Sequence, residues 1–423
     1  MKLPRNLHPL RYRNYRLYFF GQAISLIGTW MTTAATLWLA YKLTGSTFYV
    51  GAAGFANLIP SFLLSPFAGV WVDRVNRLKL FGWCQVILMI QSLGLAALAL
   101  TGVVNISHIL ILNVLQGVVN AFDVTVRQAM VRDFVENKED LATAIALNSS
   151  NFNLARLIGP AIGGMVVAAF GPGICFLVDG ISYIAVLGCI AAMNMPRKKR
   201  TTPMRHPLHE LHEGWVACFH FAPIRELIVL VAIISFASIS YTVLMPEIAT
   251  EVFHGDARTM GYMMAAVGCG ALSSAIYLGS RKGMRGLNRV ITCGCTALGF
   301  ALVGLAFVPW LPLALVCLFV IGSGAVLLFA SSNTLIQAMI EDHQRGRIMS
   351  IFSMAYTGAA PLGNLLTGSI AGRLGAKWTL VLNGIVCLTA TYGFWRRSPA
   401  LQKESELRLH NISPEANAVA NPE

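Results

Sequence analysis

Charge is what this chain has least of. Lys, Arg, Asp and Glu make up only 12% of its 423 residues, against about a quarter in a soluble domain. Little of its surface is therefore built for water. Acids are scarcer than bases, 19 against 32. Long polar stretches are missing too: the longest inside the chain, 195–224, is too short for an appended sensor or catalytic domain. Neither His-Glu-x-x-His nor Gly-x-Ser-x-Gly occurs, and no glycine loop is shaped to cradle a phosphate, which removes the common hydrolase and nucleotide-binding chemistries. Nine cysteines, an odd number lying mostly inside apolar stretches, pack as small hydrophobes and form no disulfide framework. The expectation is a protein that is not an enzyme and carries neither cofactor nor metal.

Apolar sequence fills the chain instead, 56% of it. Twelve stretches of spanning length read as 17–41, 49–71, 79–101, 106–127, 142–169, 173–194, 225–247, 259–279, 289–308, 311–336, 346–371 and 376–395. About 20 apolar residues cross the hydrocarbon of a bilayer, because only a helix satisfies its own backbone there. The first stretch is too long for a signal-peptide core and is expected to remain as the first span. Of the 32 Lys and Arg, 26 lie in the two tails and the even-numbered loops, while Lys42, Arg258, Arg373 and Lys377 lie on the other side. The positive-inside rule then puts both termini in the cytoplasm. The same asymmetry accounts for the formal charge of +13, so nucleic acid is not an expected partner. The fold class is an all-α membrane protein of twelve transmembrane helices.

The chain also repeats itself. Gln128-Ala129-Met130-Val131 ends span 4, and Gln337-Ala338-Met339-Ile340 ends span 10, close to half the chain later. Two parallel six-helix halves would hold a substrate site at their interface and rock against each other for alternating access. The expected division is a first bundle over 1–194, a linker over 195–224, a second bundle over 225–397 and a disordered tail over 398–423. In the linker, Arg197-Lys198-Lys199-Arg200 suits anionic lipid headgroups. Leu208, Leu211, Trp215, Phe219 and Ala222 then recur at helical spacing, the pattern of an amphipathic surface helix. His206, His209 and His212 read as its wetted face, because no carboxylate or thiol completes a metal shell.

Only Arg156 and Asp179 are charges well inside a span, and charge in hydrocarbon is costly enough to imply a task. Span 4 carries Asn113, Gln116, Asn120, Asp123 and Arg127 at helical spacing, one continuous polar face that reads as cavity lining. By rise per residue, Asn113 and Arg156 both lie roughly 21 Å from the cytoplasmic end, near mid-bilayer. On span 1, Gln22, Ser25, Thr29, Thr32 or Thr33, and Thr36 trace a similar face. Hydroxyls satisfy themselves on their own helix, so both a lumen and a packing reading stand for that stripe.

The chain resembles the major facilitator superfamily along nearly its whole length. Gly69-Val-Trp-Val-Asp73-Arg74-Val-Asn-Arg77 looks like its signature loop, with Asn76 where glycine is usual. Gly159-Pro160-x-x-Gly163-Gly164 in span 5 looks like the motif of its antiporters, although Ala155 replaces an upstream glycine. Gly21-Gln22-x-x-Ser25-x-x-Gly28-Thr29-Trp30-Met31, Asn120-Ala121-Phe122-Asp123 and Arg345-Gly346-Arg347-x-x-Ser350 resemble the drug:proton antiporter branch that includes enterobactin exporters and macrolide efflux pumps. The resemblance implies that spans 1, 4, 7 and 10 line a central cavity, adding Ser235, Ser238 and Tyr241 on span 7 and Ser323, Asn333 and Gln337 on span 10. It also implies a cytoplasmic gate of Gly69, Asp73, Arg74, Arg77, Asp123 and Arg127. There Gly69 allows close helix approach, Asp73 meets a helix terminus and Arg77 reaches Asp123. One departure matters: many of these antiporters carry an arginine three residues before the Gln-Gly pair of span 4, where this chain has Asn113. Arg156 is the candidate to supply that charge, with carbonyl-bound packing as the alternative.

Function then follows as an expectation: export of an amphipathic small molecule, drug or siderophore-like, by proton antiport in a bacterial inner membrane. Partners would be substrate, protons and lipid, and monomers are the superfamily's habit. Candidate proton carriers are Asp123, whose place near the gate favours a structural role, Asp179, with capping of a neighbour as its alternative, and Glu247 at the outer mouth of span 7. An uncoupled facilitator, a lipid-like substrate, and a membrane-embedded sensor or enzyme are the competing readings.

Overall fold

The computed structural model describes residues 5–135, 137–193, 221–281, 283, 286–340 and 342–412, and every regular element among them is helical. The linker expected to carry an amphipathic helix and the three histidines lies outside the described residues, apart from its last few.

Punctuation in the sequence sets where the helices stop and start. Helix α1 (Arg13–Thr44) ends on Gly45, whose φ of 60° lets its N–H close on the Tyr41 carbonyl. Helix α2 (Thr47–Arg74) follows, and α3 (Arg77–Leu100) opens with the Asn76 side chain accepting the Lys79 N–H at 3.0 Å. That cap gives Asn76 a local reason of its own. Helix α4 (Ile106–Phe134) starts with a reciprocal cap between Asn105 and His108. After α5 (Lys138–Phe170), Gly171 and Pro172 turn the chain into α6 (Pro172–Ala192).

Helix α7 (Ala222–Ser238) is regular only in its first part. It tightens to a 3-10 turn over Ile239–Leu244 and widens to a π turn over Ile248–Val252. Helix α8 (Ala257–Ser280) is capped by Asp256, whose carboxylate accepts the N–H groups of Arg258 and Thr259. Helices α9 (Leu287–Leu305) and α10 (Leu311–Met339) lead to α11 (Asp342–Ile412), which turns sharply at Gly375, φ 78° and ψ 163°. Among the described residues eleven helical segments are long and apolar enough to cross a membrane, the last being Arg347–Ser398, with Gly375 inside it.

The tail expected to be disordered from 398 continues as helix to Ile412, because Ala400, Leu401, Gln402, Lys403 and Glu404 are all strong helix formers. Residues 413–423 lie outside the described residues.

The described residues divide into two compact units, one within Met1–Met204 and Ala249–Ala265, the other within Arg205–Ile248 and Ala266–Glu423. In the first, α2 lies on α4, α3 on α6, and α1 on α5 and α6. Its core gathers Tyr15, Tyr18, Phe81, Val126, Met130 and Phe134. In the second, α10 packs on α9, and α11 packs on α7 and α9. The repeated methionines are buried in both units, Met130 fully and Met339 to 2% exposure.

The start of the chain is tied down. Tyr15 is fully buried, and its hydroxyl reaches the Ala144 carbonyl (2.9 Å) and the Asn148 side chain (3.2 Å) on α5. Just before it, His8, Arg11 and Tyr12 all bond to the carboxylate of Asp140. Replacing Tyr15 by Phe keeps the ring and removes only the hydroxyl, so the expected loss is about 1 kcal/mol. Thermal unfolding in detergent reads it out, and an unchanged melting curve would show that the hydroxyl contributes nothing.

Candidate functional site: a buried polar network

Residues expected to form the gate fall into two separate clusters of the first unit. In one, Arg77 donates to Asp73 (2.5 Å) and to Asp133 (2.7 Å), tying the ends of α2, α3 and α4 together. Arg77 and Asp133 are 12% and 13% exposed at their side chains, while Asp73 is half exposed. Arg77 was expected to reach Asp123 and does not; Asp133, which the sequence gave no reason to single out, takes that place. Gly69 meets open space rather than a packed neighbour, correcting the close-approach reading, and Arg74 is exposed.

The second cluster is deeper. Asp123 is 2% exposed, and both of its oxygens are used. Oδ1 accepts from Gln85 Nε2 and Oδ2 from Arg127 Nη2, each at 2.7 Å. Arg127 then donates through Nη1 to Gln22 Oε1, also at 2.7 Å. One acid, one base and two amides thus join α1, α3 and α4. Such a buried pair holds only when its remaining hydrogen-bonding positions are filled, and Gln22 and Gln85 fill them. Gln85 was missed in the sequence, although Ser92, seven residues on, marks the same face of that helix.

The expected lumen face of α4 turns partly inward. Asn113 donates to the Ala53 carbonyl (3.1 Å), and Gln116 accepts from Asn57 (2.8 Å), both partners lying on α2. They are 4% and 9% exposed, so in this structure they pack the bundle rather than line an open space. Asn120 is half-buried. On α1, Gln22 and Ser25 are buried, and the Thr29 and Thr33 hydroxyls donate back to Ser25 and Thr29 carbonyls. The packing reading of that stripe holds in this structure.

Arg156 stands apart from both clusters and is not joined to Asn113. It is half-buried on α5, its guanidinium carbon 5.8 Å from the Trp30 ring centroid. Trp30 meets Phe152 edge-on at 5.6 Å. Among the described residues no carboxylate pairs with Arg156, leaving its charge over the Trp30 ring. The antiporter-type motif positions this cluster. A side chain at Gly159 or Gly163 would strike Trp30 or Met31 on α1, and one at Gly164 would strike Gly261 on α8. Pro160 belongs to the same surface, its carbonyl lying against Gly261. Close backbone approach of this kind needs small residues.

In the second unit, Ser238 and Tyr241 are buried at the 3% and 4% level where α7 leaves regular α-helix. On α10, Gln337 donates to Asn333 one turn earlier (3.0 Å). Glu247 accepts the Ala376 N–H (3.0 Å) at the start of the second arm of α11, the role of a helix cap.

Comparison with known proteins places this arrangement. Residues 5–421 match the family described as transmembrane secretion effector. The chain belongs to that family. It is 27% identical to the staphyloferrin A transporter of Staphylococcus aureus (strain NCTC 8325 / PS 47), covering 94% of this chain and 99% of that one. It is 26% identical to the multidrug efflux pump Tap of Mycolicibacterium fortuitum, over 86% and 91% of the two chains. In structure it is similar to a bacterial homologue of the human lysosomal transporter Spinster. The TM-score is 0.72 at 13% identity, over 93% of this chain and 98% of that one. A likeness at that identity speaks for the fold alone. This secretion effector is a multi-pass membrane transporter of the major facilitator type and not an enzyme, as the resemblance of its motifs implied.

For this transporter, the Arg77 clamp carries a direct prediction. Asp133→Asn strips a largely buried arginine of one partner and is expected to cost about 2–3 kcal/mol. Asp73→Asn, at a half-exposed acid, is expected to cost less than 1 kcal/mol, or about the value of a surface pair. Paired thermal melts of the two variants check the order, and equal losses would show that burial does not decide it.

Proposed function

We propose that this protein exports an amphipathic small molecule across the bacterial cytoplasmic membrane by proton antiport. Full-length similarity to named efflux and siderophore transporters supports export. In this reading Gly375 divides the last candidate segment into two spans, giving twelve, with both termini in the cytoplasm as the loop charges require. Two six-helix halves, 1–194 and 225–397, alternate access to a site between them, and the protein works as a monomer in lipid. The irregular stretch of α7 at Ser238 and Tyr241 supplies a place to bend.

The observation that carries the substrate class is Arg156. A half-buried guanidinium with aromatic company and no acid beside it offers an anionic, ring-bearing molecule both charge and stacking. That favours a siderophore-like anion over a lipophilic cation, which would need an acid at this depth.

Inverted vesicles test the reading. Uptake of enterobactin is expected to exceed that of erythromycin, and to require an acidic vesicle interior. Arg156→Gln is expected to cut enterobactin uptake about tenfold, near 1.4 kcal/mol, while erythromycin is little affected. Uptake of both by Arg156→Gln at the parental rate would remove Arg156 from the substrate site.

A further inference from the structure

Three buried or half-buried acids stand as carriers for the antiported proton, and their partners separate them. Asp123 has both oxygens committed, one to Gln85 and one to Arg127. Glu247 holds the first turn of a helix arm. Asp179 on α6 differs from both. It is 1% exposed, and no cation pairs with it among the described residues. Its Oδ2 accepts from Ser92 Oγ on α3 at 3.0 Å, while its Oδ1 has no hydrogen-bond partner.

The neighbour of that bare oxygen is informative. Oδ1 lies against α1 at Gly28, where an added methyl would sit 2.7 Å from it. One turn further along the same face of α1 is Thr32, 3% exposed, whose hydroxyl oxygen is also without a partner. Two orphaned polar oxygens at one helix interface are costly in a dry interior. A hydrogen from the Thr32 hydroxyl would satisfy Oδ1 but still leave a buried anion with no cation beside it, whereas a proton on Oδ1 removes that charge and lets Oδ1 donate toward Thr32. We infer that Asp179 is the proton-carrying group of this transporter, with Thr32 on α1 and Ser92 on α3 as its shell. This rests on the antiport reading above and specifies its site.

The chemistry is a proton transfer with nothing else changed. The Oδ1–H bond breaks when water enters, the proton leaves to that water, and the Thr32 hydroxyl turns to donate to the carboxylate beside Ser92. Around Asp179 the surroundings are otherwise neutral. On α6 itself the titratable neighbours are Cys175, whose Sγ points to the Gly163 carbonyl of α5, and Tyr183 one turn on. The facing groups of α1 are Gly28 and Thr32, and that of α3 is Ser92, none of them charged. Arg156 on α5 is engaged with Trp30. Tyr183 lies within electrostatic range of both Asp179 and the Asp123–Arg127 pair, so the proton site and the gate-side network share a neighbour. A merely structural acid would be expected to use both oxygens, as Asp123 does.

Infrared difference spectra of the purified protein in lipid test the site without any substrate. The carbonyl band of a protonated carboxylic acid is expected in the parent and in Asp123→Asn, and absent in Asp179→Asn. Its persistence in Asp179→Asn would overturn the inference. Thr32→Val, which keeps shape and is expected to fold, should shift the pH midpoint of that band, and an unmoved midpoint counts against the assigned shell. With enterobactin in inverted vesicles, Asp179→Asn is expected to keep exchange and lose all response to the pH gradient. A retained response overturns Asp179 alone. A parent that ignores the gradient while exporting overturns proton antiport, and this inference with it.

Discussion

Hydrocarbon offers no hydrogen bonds, and the architecture answers to that constraint throughout. A polar group placed inside this chain finds its partner on its own helix or on a neighbouring one. Asp123 and Arg127 do so with Gln22 and Gln85, and in doing so they fix three helices around one buried ion pair. Asn113 and Gln116 do so with α2. The first unit is therefore held by a small number of directed contacts superimposed on nonspecific apolar packing. Between apolar helices in lipid, shape and hydrogen bonds have to supply the specificity that water supplies in a soluble core.

Against that background, incomplete satisfaction is informative. Arg156 sets its charge over the Trp30 ring, and Asp179 keeps one oxygen without a hydrogen-bond partner. Among the charged groups inside the first unit these two stand apart from the paired Asp123 and Arg127. They sit on different faces of the bundle, Arg156 half-buried and Asp179 fully enclosed by α1 and α3.

The fold was legible because its signals are long. Spans of 20 apolar residues and a one-sided charge distribution survive any local ambiguity. The site was legible only in part. Spacing correctly grouped Asn113, Gln116 and Asp123 on one face of α4, but a face does not say which neighbour it meets, and α2 proved to be the partner of the first two. Asp123 and Asp133 lie on the same helix, about 15 Å apart, and the sequence alone does not say which of them Arg77 meets. Gln85 and Ser92 are seven residues apart on one face of α3, a stripe too short to stand out in an apolar helix beside the longer one on α4. The helical tail was hidden by its charge, because a polar segment of strong helix formers reads like a disordered one.

The docking of the chain's first residues onto α5 bears on how the protein is made. Arg11 and Tyr12 wait for Asp140, and Tyr15 for Ala144, so the ribosome must deliver well over a hundred further residues before the earliest ones have anything to hold. The first span therefore meets α2, α3 and α4 before its leading residues find their dock on α5. Any truncation that stops short of α5 leaves that leading segment without its dock, however intact its own sequence.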